Sequence, residues 1–325
     1  MTHVCVLDDY QGAVETLDAL RLLDGLDVSI EVRREPLRGD EALIDALSIA
    51  DVVVLIRERT RLSARVIEAL PRLKLIVQTG RLAGCIDLDA CARKGVVVCA
   101  GTGSPTAPVE LTWALILAAS RRLIDYHEGL RAGRWQVCTY EPSRLGRVLS
   151  GRTLGIWGYG KIGQRVARIG QAFGMEIRAH GRDASCLAAR VDGVIFEPDR
   201  ERFLGEVDVL TLHLRLTQET RHMIRSDTLL GMREDALLVN TSRAELLAPG
   251  ALMSALEAGR PGMAALDVFE QEPEGVAAYL GHPRILCSPH IGFVERSTYE
   301  AYFREAFAHV RAFIDPDGCA QGVKE

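Results

Sequence analysis

Gly158-Tyr159-Gly160-Lys161-Ile162-Gly163, a G-x-G-x-x-G sequence, lies near the middle of the 325-residue chain. It follows an apolar run at 154–157 that predicts a strand, and it leads into apolar positions spaced as in a helix. In such a unit the glycines allow a tight turn, close approach of the backbone to a pyrophosphate, and close packing of helix on strand. The helix N-terminus would offer N–H groups and a partial positive charge to phosphates. The motif predicts a dinucleotide site, whereas the same letters elsewhere would indicate only a glycine-rich turn.

The composition is that of a folded protein with room for two domains. Hydrophobic residues make up 48% of the chain, and the formal net charge is −5 with acids and bases interspersed. This balance argues against nucleic acid as a partner. Because the 39 basic residues include only four lysines, arginine is common background and a single arginine needs context before it indicates function.

The cysteine pattern indicates reduced thiols in a cytoplasmic protein rather than disulfides or a metal site. There is no C-x-x-C pair and no cluster of cysteine with histidine. The N-terminus begins with a strand pattern rather than a signal peptide. The longest apolar stretch, around 111–119, is far shorter than the roughly 20 residues of a membrane span. We therefore expect a cytoplasmic protein with no metal and no membrane partner.

Short strand patterns alternate with helical patterns from end to end, which predicts an α/β fold with parallel sheets and helices on both faces. The predicted strands are 4–7, 28–32, 52–56, 73–77, 96–99, 154–157, 176–180, 194–196, 207–212, 236–240, 263–266 and 285–288. The predicted helices include 13–23, 63–70, 107–122, 122–133 and 295–313. So many strands predict two doubly wound domains, with ligand chemistry in the cleft between them. A turn cluster at 101–105 places the boundary: 1–101, completed by 293–325, forms one domain, and 102–292 forms the other.

Three polar groups follow predicted strands of the second domain. Arg243 ends a turn after 236–240, acidic residues follow 263–266, and His290 follows 285–288. In parallel sheets ligands bind beyond the carboxyl ends of the strands. An arginine can bind a substrate carboxylate, and a histidine oriented by a carboxylate can exchange a proton with an oxygen. Taken singly, these residues have simpler explanations as a surface ion pair, a solvated acid and an ordinary loop.

Four motifs in this order resemble the D-isomer-specific 2-hydroxyacid dehydrogenase family. They are 158–163, Val239-Asn-Thr-Ser-Arg243, Leu266-Asp-Val-Phe-Glu-Gln-Glu-Pro273 and Ser288-Pro-His-Ile-Gly292, with weaker blocks at 109–111 and 212–217. The resemblance implies a flavodoxin-like substrate domain and a Rossmann cofactor domain. It also implies hydride transfer between a nicotinamide and a small 2-oxo acid or D-2-hydroxy acid.

The resemblance assigns roles to individual residues. Arg243 would bind the substrate carboxylate and carbonyl, His290 would act as acid and base, and Glu272 would be its partner. The loop that holds the carboxylate would include Gly80, Arg81 and Leu82. The cofactor would contact Gly158, Tyr159, Gly160, Lys161, Ile162, Gly163, Gly181, Arg182, His213, Thr241, Ser242, Asp267 and Gly292, with Asp267 at the nicotinamide end.

The chain departs from the usual family pattern at several of these places. Ala244 stands where a glycine is usual, Phe293 where a small residue is usual, and Arg215 where a proline is common. Arg81 and Leu82 replace a smaller loop sequence. Phe293 and Arg81 could reshape the substrate pocket, so the substrate is not assigned from any family member.

The strand after the glycine helix predicts the cofactor preference. An NAD enzyme usually ends this strand with Asp or Glu, which hydrogen-bonds the ribose and repels a 2′-phosphate. Here the position is Gly181, followed by Arg182, whose guanidinium could pair with a phosphate. This pair favours NADP(H) over NAD(H). In the alternative interpretation, Asp183 takes the ribose and Arg182 is only solvated.

A different class of function is also open at this point. The fold resembles that of transcriptional co-repressors that keep similar motifs, so the alternative is a non-enzymatic dinucleotide-sensing interaction protein. Helices within 107–133, with Trp113 and the apolar run 115–117, indicate either a dimer surface or core. The family resemblance favours a homodimer.

Overall fold

The computed structural model describes residues 1–138 and 145–316. They form two compact units: the first contains Met1–Ser104 and the residues from Val294 onward, and the second contains Pro105–Phe293.

The strands, in chain order, are β1 Thr2–Leu7, β2 Val28–Val32, β3 Val52–Leu55, β4 Leu75–Gln78, β5 Val97–Ala100, β6 Thr153–Trp157, β7 Glu176–His180, β8 Ile195–Phe196, β9 Val209–Leu212, β10 Leu237–Asn240, β11 Met263–Leu266 and β12 Ile285–Cys287. The α-helices are α1 Gly39–Leu47, α2 Ala64–Ala69, α3 Leu88–Lys94, α4 Thr106–Ser120, α5 Leu123–Arg131, α6 Lys161–Ala172, α7 Asp183–Val191, α8 Arg200–Glu206, α9 Ser226–Leu230, α10 Ala251–Glu257 and α11 Arg296–Ile314.

The first unit contains a five-stranded parallel sheet in the order β2-β1-β3-β4-β5. Its central strand β3 consists of four buried apolar residues, as expected for a strand covered on both faces. The order is that of flavodoxin-like folds, in which the chain reverses its direction of winding between β1 and β3.

The second unit contains a seven-stranded parallel sheet in the order β12-β11-β10-β9-β6-β7-β8. Strand β6 pairs with both β7 and β9, so the winding reverses there. Ligands of doubly wound sheets bind outside the carboxyl ends of the strands at such a switch point. The predicted fold class, two doubly wound parallel sheets with helices, is confirmed.

The helix predicted over 13–23 is wrong. Two short 3₁₀ segments, Val14–Thr16 and Asp18–Leu23, are separated by Leu17 in an extended conformation (φ −83°, ψ 137°). The Glu300 carboxylate accepts the first two N–H groups of the second segment, at 2.7 and 3.1 Å. Asp18 and Glu300 are 282 residues apart in the sequence, and their contact caps the start of the second segment. The spacing of apolar residues had predicted one continuous helix there.

Most of the apolar residues of α4 belong to the core, whereas Leu117 is exposed. Trp113, Leu115 and Ile116 are buried, and they pack in the cluster that also holds the glycine helix α6. Of the two interpretations that the sequence left open, the core interpretation is correct for Trp113, Leu115 and Ile116 but not for Leu117.

The cysteines and the hydropathy of the helices bear on where the protein is located in the cell. The seven cysteines among them are free thiols. No helix within 1–138 and 145–316 has the length and hydropathy needed to cross a membrane. The cytoplasmic location stays a prediction.

Candidate active site

The glycine loop between β6 and α6 has the shape that a dinucleotide requires. Gly158 has a φ of +100°, and a Cβ there would lie 2.7 Å from the carbonyl oxygen of His213. A Cβ at Gly163 would lie 2.6 Å from the Gly158 oxygen, so this glycine lets α6 pack on the loop. At Gly160 a Cβ would meet nothing within 4 Å, and no described side chain caps α6 there. The open space faces backbone at a helix N-terminus, which fits a pyrophosphate.

The other residues of the motif face different surroundings. The Tyr159 ring is buried in the core, and its hydroxyl donates to Asp192 Oδ2 at 3.0 Å. Burial raises the pKa of this hydroxyl. Ile162 packs against the same core, whereas Lys161 is exposed. Any contact of Tyr159 with a cofactor therefore comes from its backbone.

His213 follows β9 directly beside the glycine loop. Its N–H donates to the Trp157 carbonyl at 2.8 Å, which joins the ends of β9 and β6. The ring Nε2 is buried and has no hydrogen-bond partner among the described residues. Burial lowers the pKa of His213 to about 4, so the ring is neutral at physiological pH.

The turn after β10 is built by the buried Asn240. Its Oδ1 accepts the Ser242 N–H at 3.0 Å, and its Nδ2 donates to the Arg243 carbonyl at 2.9 Å. The Ser242 hydroxyl donates to the last carbonyl of β9 at 2.7 Å. The Thr241 hydroxyl lies 2.8 Å from a threonine hydroxyl of α4. The sequence analysis assigned no role to Asn240, although a polar residue at the end of an apolar strand indicates that its side chain has a specific partner.

Asp267, directly after β11, organises the loop that carries His290. Its buried carboxylate accepts the Ser288 hydroxyl at 2.6 Å and the N–H groups of Ile291 and Gly292 at 2.9 and 3.0 Å. Burial raises the pKa of Asp267, while these hydrogen bonds act in the opposite direction. The expected contact between Asp267 and the nicotinamide stays a prediction, since its observed bonds are to protein.

His290 and Glu272 form a pair within the second unit. His290 Nδ1 lies 2.6 Å from Glu272 Oε2, and the other oxygen, Oε1, accepts the Phe269 N–H at 2.9 Å. Because a carboxylate only accepts, Nδ1 carries the proton and Nε2 is left for another partner. The buried Phe293 packs edge-on against the imidazole, with 5.8 Å between ring centroids. His290 itself has a φ of +50°, a conformation seldom adopted outside glycine and found at functional sites.

Gly181 and Arg182 follow β7 as the sequence predicted. Gly181 has a φ of +154°, and a Cβ there would come within 2.9 Å of Ser185 Oγ. The Arg182 side chain is exposed and forms no hydrogen bond or ion pair with any described residue. Asp183 is exposed in the first turn of α7.

The loop after β4 belongs to the first unit. Gly80 has a φ of +66°, while Arg81 and Leu82 are exposed. The buried Gln78 braces this loop: its Oε1 accepts the Ala83 N–H at 3.1 Å, and its Nε2 donates to a carbonyl of the loop after β3 at 3.0 Å. Sequence reasoning missed Gln78, whose polar side chain at the end of an apolar strand resembles the signal at Asn240.

The glycine loop lies at the switch point of a parallel sheet, and the histidine–carboxylate pair lies beyond neighbouring strands of that sheet. Together these features define the class of the protein as a dinucleotide-dependent dehydrogenase. The family model for the D-isomer specific 2-hydroxyacid dehydrogenase, NAD binding domain, matches residues 113–292. The chain belongs to this family; it is an oxidoreductase that uses a nicotinamide dinucleotide.

Relatives support this assignment over nearly the whole chain. A glyoxylate reductase from Aeropyrum pernix is 36% identical over 291 residues, which cover 86% of this chain and 85% of the relative. A hydroxypyruvate reductase from Thermotoga maritima is 34% identical and covers 85% and 87%. The crystal structure of a phosphoglycerate oxidoreductase from Vibrio cholerae is 46% identical, with a TM-score of 0.90 and coverage of 96% and 99%. All three are named as enzymes, so the sensor alternative finds no support here.

Proposed function

We propose that this enzyme reduces small 2-oxo acids to D-2-hydroxy acids with NADPH as the preferred cofactor. The observation that carries this proposal is the 2.6 Å hydrogen bond between His290 and Glu272, in the same unit as a glycine loop shaped for a dinucleotide. The names of the relatives, glyoxylate reductase and hydroxypyruvate reductase, support small 2-oxo acids as the substrate class.

Each member of the site has one task in this reaction. When bound, the nicotinamide supplies the hydride that adds to C2 of the 2-oxo acid. His290 donates a proton from Nε2 to the C2 oxygen as that oxygen gains charge. Glu272 holds the ring through Nδ1 and complements the positive charge of the imidazolium. Arg243 binds the substrate carboxylate through its planar guanidinium.

The preference for NADPH rests on the residues after β7. Gly181 offers no carboxylate to repel a 2′-phosphate, and the Arg182 guanidinium has no partner among the described residues. A phosphate could therefore bind Arg182 without breaking an existing ion pair.

Arg182→Ala should raise the KM for NADPH by about 10-fold or more, because a charge-assisted hydrogen bond contributes about 1.5–3 kcal/mol. The KM for NADH should change much less, and steady-state assays with both cofactors measure the difference. Arg190→Ala, which removes another exposed arginine of α7, serves as the matched control. A wild-type enzyme that prefers NADH, with the preference intact in Arg182→Ala, would contradict the proposal.

We also propose that the enzyme is a homodimer, as the family resemblance favours. Around α5 the chain exposes several large apolar side chains, among them Leu123, Leu130 and Trp135, the last with 75% of its surface accessible. Large exposed apolar patches are typical of protein–protein interfaces, and these residues lie within one short stretch of the chain. Sedimentation equilibrium should give twice the chain mass of 35.6 kDa. Leu130→Glu should shift the mass to that of a monomer, whereas Leu187→Glu, at an exposed leucine of α7, should not.

A further inference from the structure

The loop after β4 presents unused hydrogen-bond donors. The backbone N–H groups of Gly80, Arg81 and Leu82 have no acceptor among the described residues, while the next N–H, that of Ala83, is bound to Gln78. Gly80 begins the loop in a left-handed conformation, with a φ of +66°. Successive N–H groups after a left-handed residue can form a concave anion site, and this loop lies at the carboxyl end of a parallel strand.

The Arg81 side chain adds a positive charge at the same place, and its guanidinium forms no hydrogen bond or ion pair with any described residue. The charges that act on the neighbouring Tyr302 are those of Arg57, Glu58, Glu305 and Arg81. Three of these four have contacts with other residues, so Arg81 is the member of this group whose charge lacks a partner among the described residues.

Arg57, Glu58 and Glu305 each have an identified partner. Arg57 forms an ion pair with Glu58, with 3.4 Å between Nη2 and Oε2. The Glu305 carboxylate accepts the Thr102 N–H at 2.6 Å and the Thr102 hydroxyl at 2.5 Å. The Glu305 carboxylate is thus held by Thr102 and forms no ion pair with Arg81.

We propose that Arg81 selects substrates that carry a second anionic group in addition to the carboxylate next to the 2-oxo group. The loop N–H groups would bind one anionic group, and the Arg81 guanidinium would bind the other. The substrate class is then a 2-oxo acid with a second carboxylate or a phosphate. This inference rests on the proposed 2-oxo acid reductase function, to which it adds a specificity-determining residue.

The test compares kcat/KM for three substrate types: glyoxylate as a monoanion, 2-oxoglutarate and oxaloacetate as dicarboxylates, and 3-phosphonooxypyruvate as a phosphate ester. Wild type should prefer one of the doubly anionic types over glyoxylate. Arg81→Met should lower that preference, the ratio of the two kcat/KM values, by about 10-fold or more, since a guanidinium–anion bond is lost. The dicarboxylate and phosphate arms identify which anion Arg81 binds.

Two further variants complete the design. Arg81→Lys keeps the charge and should restore part of the ratio, which a merely structural role would not. Arg93→Met, at an exposed arginine of α3, should leave the ratio unchanged. An unchanged ratio in Arg81→Met, or a wild type that prefers glyoxylate, overturns this inference alone. A wild type that reduces none of these acids overturns the proposed function as well.

Discussion

His290→Gln should lower kcat for 2-oxo acid reduction by about 10²–10⁴-fold, the usual contribution of a positioned general acid. Glutamine can still hydrogen-bond, but it cannot give a proton to the C2 oxygen. The Kd for NADPH should change little, because the proposed role of His290 is to donate a proton to the substrate and not to bind the dinucleotide. Stopped-flow or steady-state absorbance of NADPH measures the rate, and fluorescence titration measures the binding.

Two further variants separate proton transfer from general damage. Glu272→Gln should reduce kcat less than His290→Gln, since it disturbs the orientation of the ring without removing it. His309→Gln, on α11 of the first unit, should leave kcat unchanged. Near wild-type turnover in His290→Gln would show that His290 does not transfer the proton, and it would contradict the proposed mechanism.

Much of this architecture could be predicted from local sequence. Strands β2, β7 and β11 begin and end at the residues that the sequence predicted, and the glycine motif marked the switch point. The order of the motifs was enough to place the chain in its family. These features depend on residues close in sequence, and periodicity and turn chemistry report such residues well.

The parts that could not be predicted depend on contacts between distant residues. The bonds of Asp267 hold a loop about 25 residues further on, a role that the sequence analysis did not assign. Tyr159 lies inside the cofactor motif, yet its hydroxyl bonds to Asp192, 33 residues away. Sequence spacing carries no information on these pairings.

The glycine loop allows cofactor binding to be tested separately from folding. Gly160 has backbone angles of φ −96° and ψ −161°, which alanine also adopts, and its Cβ would enter space that no described atom within 4 Å fills. Gly163 differs, because its Cβ would lie 2.6 Å from a backbone oxygen of the loop and 2.9 Å from Ile156 Cγ2. Alanine at Gly160 therefore tests cofactor binding alone, and alanine at Gly163 is the matched variant that also disturbs the packing of α6.

Gly160→Ala should raise the Kd for NADPH by about 10-fold or more, since the added methyl occupies the space proposed for the pyrophosphate and overpacking typically costs about 1–3 kcal/mol. The melting temperature of the cofactor-free protein should stay within about 2 °C of wild type, because no protein atom is displaced. Gly163→Ala should lower that melting temperature as well as weaken binding, since α6 must move away from the loop. Calorimetric titration and thermal unfolding without cofactor measure the two quantities. Unchanged NADPH affinity in Gly160→Ala would show that the pyrophosphate does not lie over this glycine, and the site would then have to be placed elsewhere on the sheet.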